Sequence, residues 1–162
     1  MSRLESFIRR MQAQKACLDW AIRQVADREG TIVELGLGNG RTYDHLREHL
    51  PGRDILVFER KLAAHPGSIP PDHLLFMGEL VDTLPGAVER FGGTAVLVHY
   101  DLGTGDPKRN EALALALSPG LQALMAPGGL LIADHPLPGD GWEGLPTPPG
   151  VPEGRYYVYR AP

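Results

Sequence analysis

The sequence predicts an α/β protein: a doubly wound, mostly parallel sheet in three α/β/α layers. Two observations carry this. Five short apolar runs alternate with longer stretches of helical period, the pattern of a parallel sheet buried on both faces. The first run also ends in an acid and a glycine-rich turn, T-I-V-E-L-G-L-G-N-G-R-T over 31–42, which lets backbone approach a ligand with no side chain in the way. Right-handed crossovers bring the strand ends to one rim, where such ligands bind.

The elements follow in order. Over residues 1–29, Leu4, Phe7, Ile8, Met11, Leu18, Ile22 and Val25 recur at three- and four-residue steps, predicting a long amphipathic helix stopped by Gly30. Thr31, Ile32 and Val33 begin the first strand. A short helix from Thr42 to Leu50 ends at Pro51-Gly52. Ile55 to Phe58 forms the second strand, closed by Glu59. Pro66, Pro70 and Pro71 leave little room for a helix before the third strand, Leu74 to Met77. Leu80 to Phe91 reads as helix with a restart at Pro85, and Ala95 to Tyr100 as the fourth strand. Asp106-Pro107 supplies an N-cap and first turn for a helix to about Leu117, with Pro119-Gly120 breaking it before a separate piece, Leu121 to Met125. Gly128-Gly129 lead into the fifth strand, Leu130 to Ala133, which ends the core at residue 135. Residues 136–154 hold six prolines around Trp142 and predict an irregular loop. Residues 155–160 give a final strand, expected to be antiparallel. One domain over 1–162 is the expectation for this length.

The register of the glycines narrows the ligand. Gly36, Gly38 and Gly40 alternate, whereas a dinucleotide fingerprint places its third glycine where Arg41 stands. Glu34 just before the turn would repel a pyrophosphate but attract a cationic cofactor. Glu59, at the end of the second strand, stands where an acid can accept hydrogen bonds from ribose hydroxyls. Glu34, Glu59 and Glu79 all fall at or near strand ends on the expected rim.

The motif acid-x-Gly-x-Gly-x-Gly resembles the first motif of class I S-adenosylmethionine-dependent methyltransferases, and the resemblance extends over residues 31–135. It implies a Rossmann-like sheet of strand order 3-2-1-4-5, with the C-terminal strand added. It also implies S-adenosyl-L-methionine as cofactor and S-adenosyl-L-homocysteine as product. Glu34, Gly36, Leu37, Gly38, Asn39, Gly40 and Thr42 would surround the methionine end. Glu59, with Arg60 beside it, would hold the ribose diol. Gly78-Glu79-Leu80 resembles the step that contacts adenine, and Val98-His99-Tyr100-Asp101 matches the fourth-strand motif, with Asp101 also at the cofactor. Ala126-Pro127-Gly128-Gly129-Leu130 resembles the turn before the fifth strand. The chain departs from the family where members carry a helix and two further strands after residue 135. It also lacks the Asn/Asp-Pro-Pro-Tyr/Phe motif of amino-group methylation, with His99-Tyr100-Asp101-Leu102 in its place.

Methyl transfer needs mainly positioning and exclusion of water, and a base only where the nucleophile carries a proton. The candidates are Asp101 after the fourth strand, Asp134 and His135 after the fifth, and His99. An acid after the fourth strand and an Asp-Asn pair after the fifth resemble the magnesium site of catechol-type O-methyltransferases. Histidine in place of the asparagine disfavours magnesium, so no metal is assigned. His45-Leu46-Arg47-Glu48-His49 satisfies a zinc-peptidase pattern on a two-turn helix with no third ligand in view, and two solvent-facing histidines are the expectation. Trp142 reads equally as a lid over the acceptor or a plug against a neighbouring subunit. Cys17 reads as a core or interface residue.

A net charge of −4 with no long basic run disfavours nucleic acid. One cysteine and no apolar signal or membrane-length run indicate the cytoplasm. The function expected is methyl transfer to a small-molecule acceptor, with self-association completing the pocket. The rivals are a cofactor-binding protein without catalysis and an NAD-dependent enzyme.

Overall fold

The computed structural model describes Met1–Pro162. Its elements are α1 (Arg3–Val25), β1 (Thr31–Leu35), α2 (Arg41–His49), β2 (Ile55–Glu59), β3 (Leu75–Met77), α3 (Leu80–Phe91), β4 (Ala95–Tyr100), α4 (Pro107–Leu124), β5 (Met125–Ala133), β6 (Glu143–Leu145) and β7 (Tyr157–Arg160). The seven strands lie in the order β3-β2-β1-β4-β5-β7-β6. The pairs from β3 through β5 are parallel, whereas β7 runs antiparallel to both β5 and β6. The order β3-β2-β1-β4-β5 and the antiparallel β7 are those expected, whereas β6 was not. No helix is long and apolar enough to cross a membrane.

Two apolar layers of nearly equal size, 20 and 18 buried residues, sandwich the sheet. Ile32, Leu97, Leu130 and Ile132 meet α1 and α2 on one face, while Val33, Val98, Leu131 and Ala133 meet α3 and α4 on the other. This is the period-two alternation of a strand buried on both sides. Glu34 and His99 are partners across β1 and β4, at the rim end of the sheet's centre.

Local chemistry shaped several boundaries differently from expectation. Helix α1 opens with a Ser2/Glu5 capping box and ends at Val25, before Gly30. Its last carbonyls are met by the Arg53 guanidinium, which donates to Val25 and Ala26. Gly30 instead feeds β1 where a side chain would collide with the Thr94 carbonyl. Pro119-Gly120 does not break α4, which continues to Leu124 because Leu117, Leu121 and Leu124 are buried on one stripe. Gly120 serves close packing: a Cβ there would lie 2.6 Å from Leu84 Cδ2 of α3. Two 3-10 turns, Pro66–Ser68 and Asp72–Leu74, fill the proline-rich crossover. Strand β5 starts at Met125, with an irregularity opposite Ala95 to Leu97 absorbing Pro127 to Gly129.

The segment 136–154 contains β6, which pairs Glu143 with Arg160 and Leu145 with Val158. Trp142 is packed within the chain. Its indole donates to Ser118 Oγ at 2.7 Å and lies edge-on to Tyr159, fastening the segment to α4 and the sheet edge.

Candidate active site

Gly40 caps α2 with φ 88, a left-handed conformation that disfavours side chains, and a Cβ there would run into Ser68 of the first 3-10 turn. The turn is braced from β2. Glu59 Oε2 accepts from the amides of Leu37 (2.9 Å) and Gly38 (3.0 Å), and its Oε1 accepts from those of Arg60 (2.7 Å) and Lys61 (3.2 Å). Burial works against the Glu59 carboxylate, but these four amides outweigh it and lower the pKa below its ordinary value. Asn39 is exposed, with its side-chain Oδ1 accepting from the Arg41 amide.

Beside the turn lies a cavity of about 520 Å³ lined by Gly36, Phe58, Glu59, Arg60, Gly78, Glu79, Leu80, Val81, Leu102, Thr104, Arg109, Asn110, Ala112 and Leu113. Its size falls within the usual range for a small ligand, about 300–1,000 Å³. Arg60 and Glu79 pair at 3.6 Å, both largely exposed. Of the lining residues, Phe58, Val81, Leu102, Thr104, Arg109, Asn110, Ala112 and Leu113 were not anticipated. All but Phe58 and Val81 sit on the loop after β4 and the start of α4, whose path a sequence pattern does not reveal.

A second, polar cluster lies under α1 at the rim ends of β1, β4 and β5. Glu34 and His99 are both fully buried, with Glu34 Oε1 and His99 Nδ1 2.7 Å apart. Thr42 donates to the same Glu34 oxygen at 3.1 Å. Glu34 Oε2 is buried without a partner. Burial raises the Glu34 pKa against the opposing charge of His99; for His99, burial acts downward but the Glu34 carboxylate prevails and raises it. His99 Nε2 lies 3.0 Å from Tyr156 Oη, and Gln14 donates to Tyr156 Oη at 3.0 Å and Asp101 Oδ2 at 3.1 Å. Arg10, one helical turn before Gln14, meets Asp101 Oδ1 at 2.5 Å and approaches Asp134 at 3.8 Å. Gln14 was legible as a polar residue inside the apolar stripe of α1; its partners Asp101 and Tyr156, 87 and 142 residues away in sequence, were not.

Asp134 accepts the Gly103 amide on Oδ2 at 2.9 Å, and its Oδ1 stands 2.7 Å from His135 Nδ1. Burial opposes the Asp134 charge, but its bond to His135 and the Gly103 amide hold the pKa down. His135 Nε2 is buried and unpartnered, as is the neighbouring Tyr100 hydroxyl. Of the sequence candidates, Asp101, Asp134 and His135 thus converge at one end of the rim. His99 is enclosed, and its ring nitrogens meet Glu34, Tyr156 and Gln14.

No group of three or more His, Cys, Asp or Glu side chains is arranged to hold a metal ion. In the zinc-like motif, His45 Nε2 meets Asp19 at 2.6 Å and His49 Nδ1 donates to the His45 carbonyl. Cys17 is fully buried in the core, its thiol pushed up to about 11 by desolvation.

An adenosyl cofactor suits these residues. The cavity has room for it, no atom lies within 4 Å of where a Gly38 side chain would sit, and the orphaned Glu34 oxygen asks for a cationic donor. A doubly wound sheet with a ligand cavity at its rim defines the cofactor-binding α/β class. More particularly, the chain belongs to the S-adenosyl-L-methionine methyltransferase family, whose profile matches residues 1–161. The chain is 49% identical to the S-adenosyl-L-methionine methyl transferase from Silicibacter pomeroyi DSS-3, covering 100% of this chain and 99% of that one, with a TM-score of 0.92. It shares the fold with TrmN from Thermus thermophilus (16% identity, 90% of this chain, 48% of that one, TM-score 0.61). It also shares it with the antibiotic-resistance methyltransferase Kmr (19% identity, 89% and 90% covered, TM-score 0.53). No curated protein matches the sequence. The protein is an S-adenosylmethionine-dependent methyltransferase.

Proposed function

We propose that the acceptor is a small molecule whose nucleophilic atom carries a proton, that it sits at the rim ends of β4 and β5, and that His135 is the general base. One observation supports this best: His135 Nδ1 is 2.7 Å from Asp134 Oδ1 while its Nε2 is buried without a partner. An acidic partner on Nδ1 fixes the tautomer that leaves Nε2 basic.

S-adenosyl-L-methionine, when bound, supplies a methyl group on a sulfonium whose departure needs no proton. Glu34 Oε2 would take its ammonium, the cavity wall around Gly78, Glu79 and Leu80 its adenine, and the Glu59 and Arg60 rim its ribose. A ribose diol at Glu59 shares a carboxylate already accepting four amides, so turn and cofactor would be held together. His135 removes the acceptor's proton. Asp134, fixed by the Gly103 amide, holds the imidazole. Asp101, fixed by Arg10 and Gln14, borders the approach and favours a cationic or hydroxyl-bearing group.

A small acceptor fits the acidic balance of the chain and the Arg10 side chain that crosses the rim. We also propose a cytoplasmic location, and self-association through the first turns of α1, where Leu4, Phe7 and Ile8 are 67%, 51% and 44% exposed. A monomeric mass by light scattering at micromolar concentration would count against self-association.

The test of the base is His135→Gln assayed for S-adenosyl-L-homocysteine release with a panel of small phenols, hydroxy acids and amines. Turnover should fall about 10²- to 10⁴-fold while calorimetric cofactor affinity stays put. Unchanged turnover would remove His135 from the chemistry.

A further inference from the structure

Glu34 and His99 form a fully buried acid–imidazole pair at the centre of the sheet, and methyl transfer gives the histidine nothing to touch. The hydrogen bonds define one of its two charge states. Gln14 directs one amide hydrogen to Asp101 Oδ2 and the other to Tyr156 Oη. Tyr156 Oη therefore accepts from Gln14 and has one hydrogen of its own, which points to His99 Nε2 at 3.0 Å. With Nε2 accepting, Nδ1 carries the hydrogen and donates it to Glu34 Oε1. In this state the pair bears one negative charge, and Glu34 Oε2 is left unpartnered.

A second proton changes that. If His99 becomes an imidazolium, the pair is neutral and Tyr156 must turn its hydroxyl hydrogen away from Nε2, giving up that bond. The groups facing the imidazole are Glu34 of β1, Gln14 of α1, Tyr156 before β7, Asp101 after β4 and Asp134 after β5, with Arg10 of α1 on the two aspartates. Thr42 of α2 contributes only its hydroxyl to Glu34. The acids favour the added proton and the hydroxyl geometry resists it, so the pair is poised between two charge states.

We infer that His99 is a positioning residue that sets the charge Glu34 presents to the cofactor, so that binding of the cationic cofactor expels a proton from the Glu34–His99 pair. This rests on the proposal that Glu34 Oε2 receives the cofactor's ammonium. The step balances: the proton leaves the pair for solvent as the ammonium donates to Oε2, and no other group changes charge. Acidification then weakens cofactor binding, up to about tenfold per pH unit while one proton is exchanged. Through Tyr156 and Gln14, the same charge state reaches Asp101.

The experiment is calorimetry of S-adenosyl-L-homocysteine binding to the full chain, between about pH 5.5 and about pH 7, below the ordinary range of a free α-amino group. Two buffers of different ionisation enthalpy count the protons. The wild type should release a sizeable fraction of one proton, with affinity falling as pH falls. His99→Asn sets an amide nitrogen near Nδ1 to donate to Glu34 but cannot take the proton, and should bind with no release and a flat pH profile. Absence of release in the wild type, or equal release by wild type and His99→Asn, would overturn the inference. Glu34→Gln tests the footing separately: affinity equal to wild type would show that the cofactor does not use Glu34. Failure of the wild type to bind S-adenosyl-L-homocysteine would overturn the cofactor site itself. The wild-type proton count needs no variant to fold.

Discussion

The rim has two halves built on opposite plans. Beside the glycine turn it is open: a cavity of about 520 Å³ is walled by the ends of β1 to β3, the loop after β4 and the first turns of α3 and α4. At β4 and β5 it is cross-linked: Asp101 is held by Arg10 and Gln14, and Asp134 by Gly103 and His135. The cofactor half presents an open cavity. The acceptor half is shaped by side chains that already satisfy one another, so an acceptor must insert among bonds rather than fill a space. A site of that kind selects by what it costs to displace an existing partner.

Variants can break or sharpen this contrast. The largest effect is expected from Glu34→Ala, which strands His99 in the core; removing one partner of a buried ionic pair costs about 3–5 kcal/mol, measurable by denaturant unfolding. If the loss were under about 1 kcal/mol, the pair would not be the anchor of the rim. Gly40→Ala should cost about 1–3 kcal/mol, because the left-handed backbone and the Ser68 contact both resist a Cβ, and cofactor affinity should fall with it. Trp142→Phe leaves Ser118 without its indole donor and should cost about 1 kcal/mol without altering cofactor affinity, since it lies on the far edge. Arg10→Met removes a half-exposed guanidinium and should change stability by less than about 1 kcal/mol, yet alter acceptor KM. An effect on cofactor affinity equal to that on acceptor KM would erase the distinction between the halves.

Glu59 gives the contrast a pH signature. Its folded pKa lies below the ordinary 4.5, so its contribution to stability is complete above that value and is lost as pH falls through the folded one. Glu59→Gln should flatten the acid limb of a stability-versus-pH curve. A limb of unchanged steepness would show that the brace on the glycine turn carries none of it.

The two halves also differ in how far the sequence revealed them. Glu34, Gly36, Gly38 and Gly40 announced a ligand turn because backbone conformation there depends on adjacent residues, and Glu59 followed by its place at a strand end. The parallel sheet was legible because its apolar runs are buried on both faces, and its strand order followed from the family resemblance. Arg10, Gln14 and Tyr156 were not tied to Asp101 and His99 because those contacts join residues some 57 to 91 positions apart and leave no local pattern. Helix α4 was broken too early on the strength of Pro119, whose local penalty yields to the burial of Leu121 and Leu124. Strand β6 was hidden by neighbouring prolines and is set by pairing with β7 and by the Trp142 anchor.

Both margins of the seven-stranded sheet are three residues long, Leu75–Met77 at one side and Glu143–Leu145 at the other. A sheet this wide would ordinarily offer two long rows of unpaired amides and carbonyls to any passing strand. Here each row is cut short, with a 3-10 turn before β3 and a proline just after β6. The fold therefore guards against edge-to-edge polymerisation by geometry rather than by charge, and lengthening either margin would be the most direct way to make this protein aggregate.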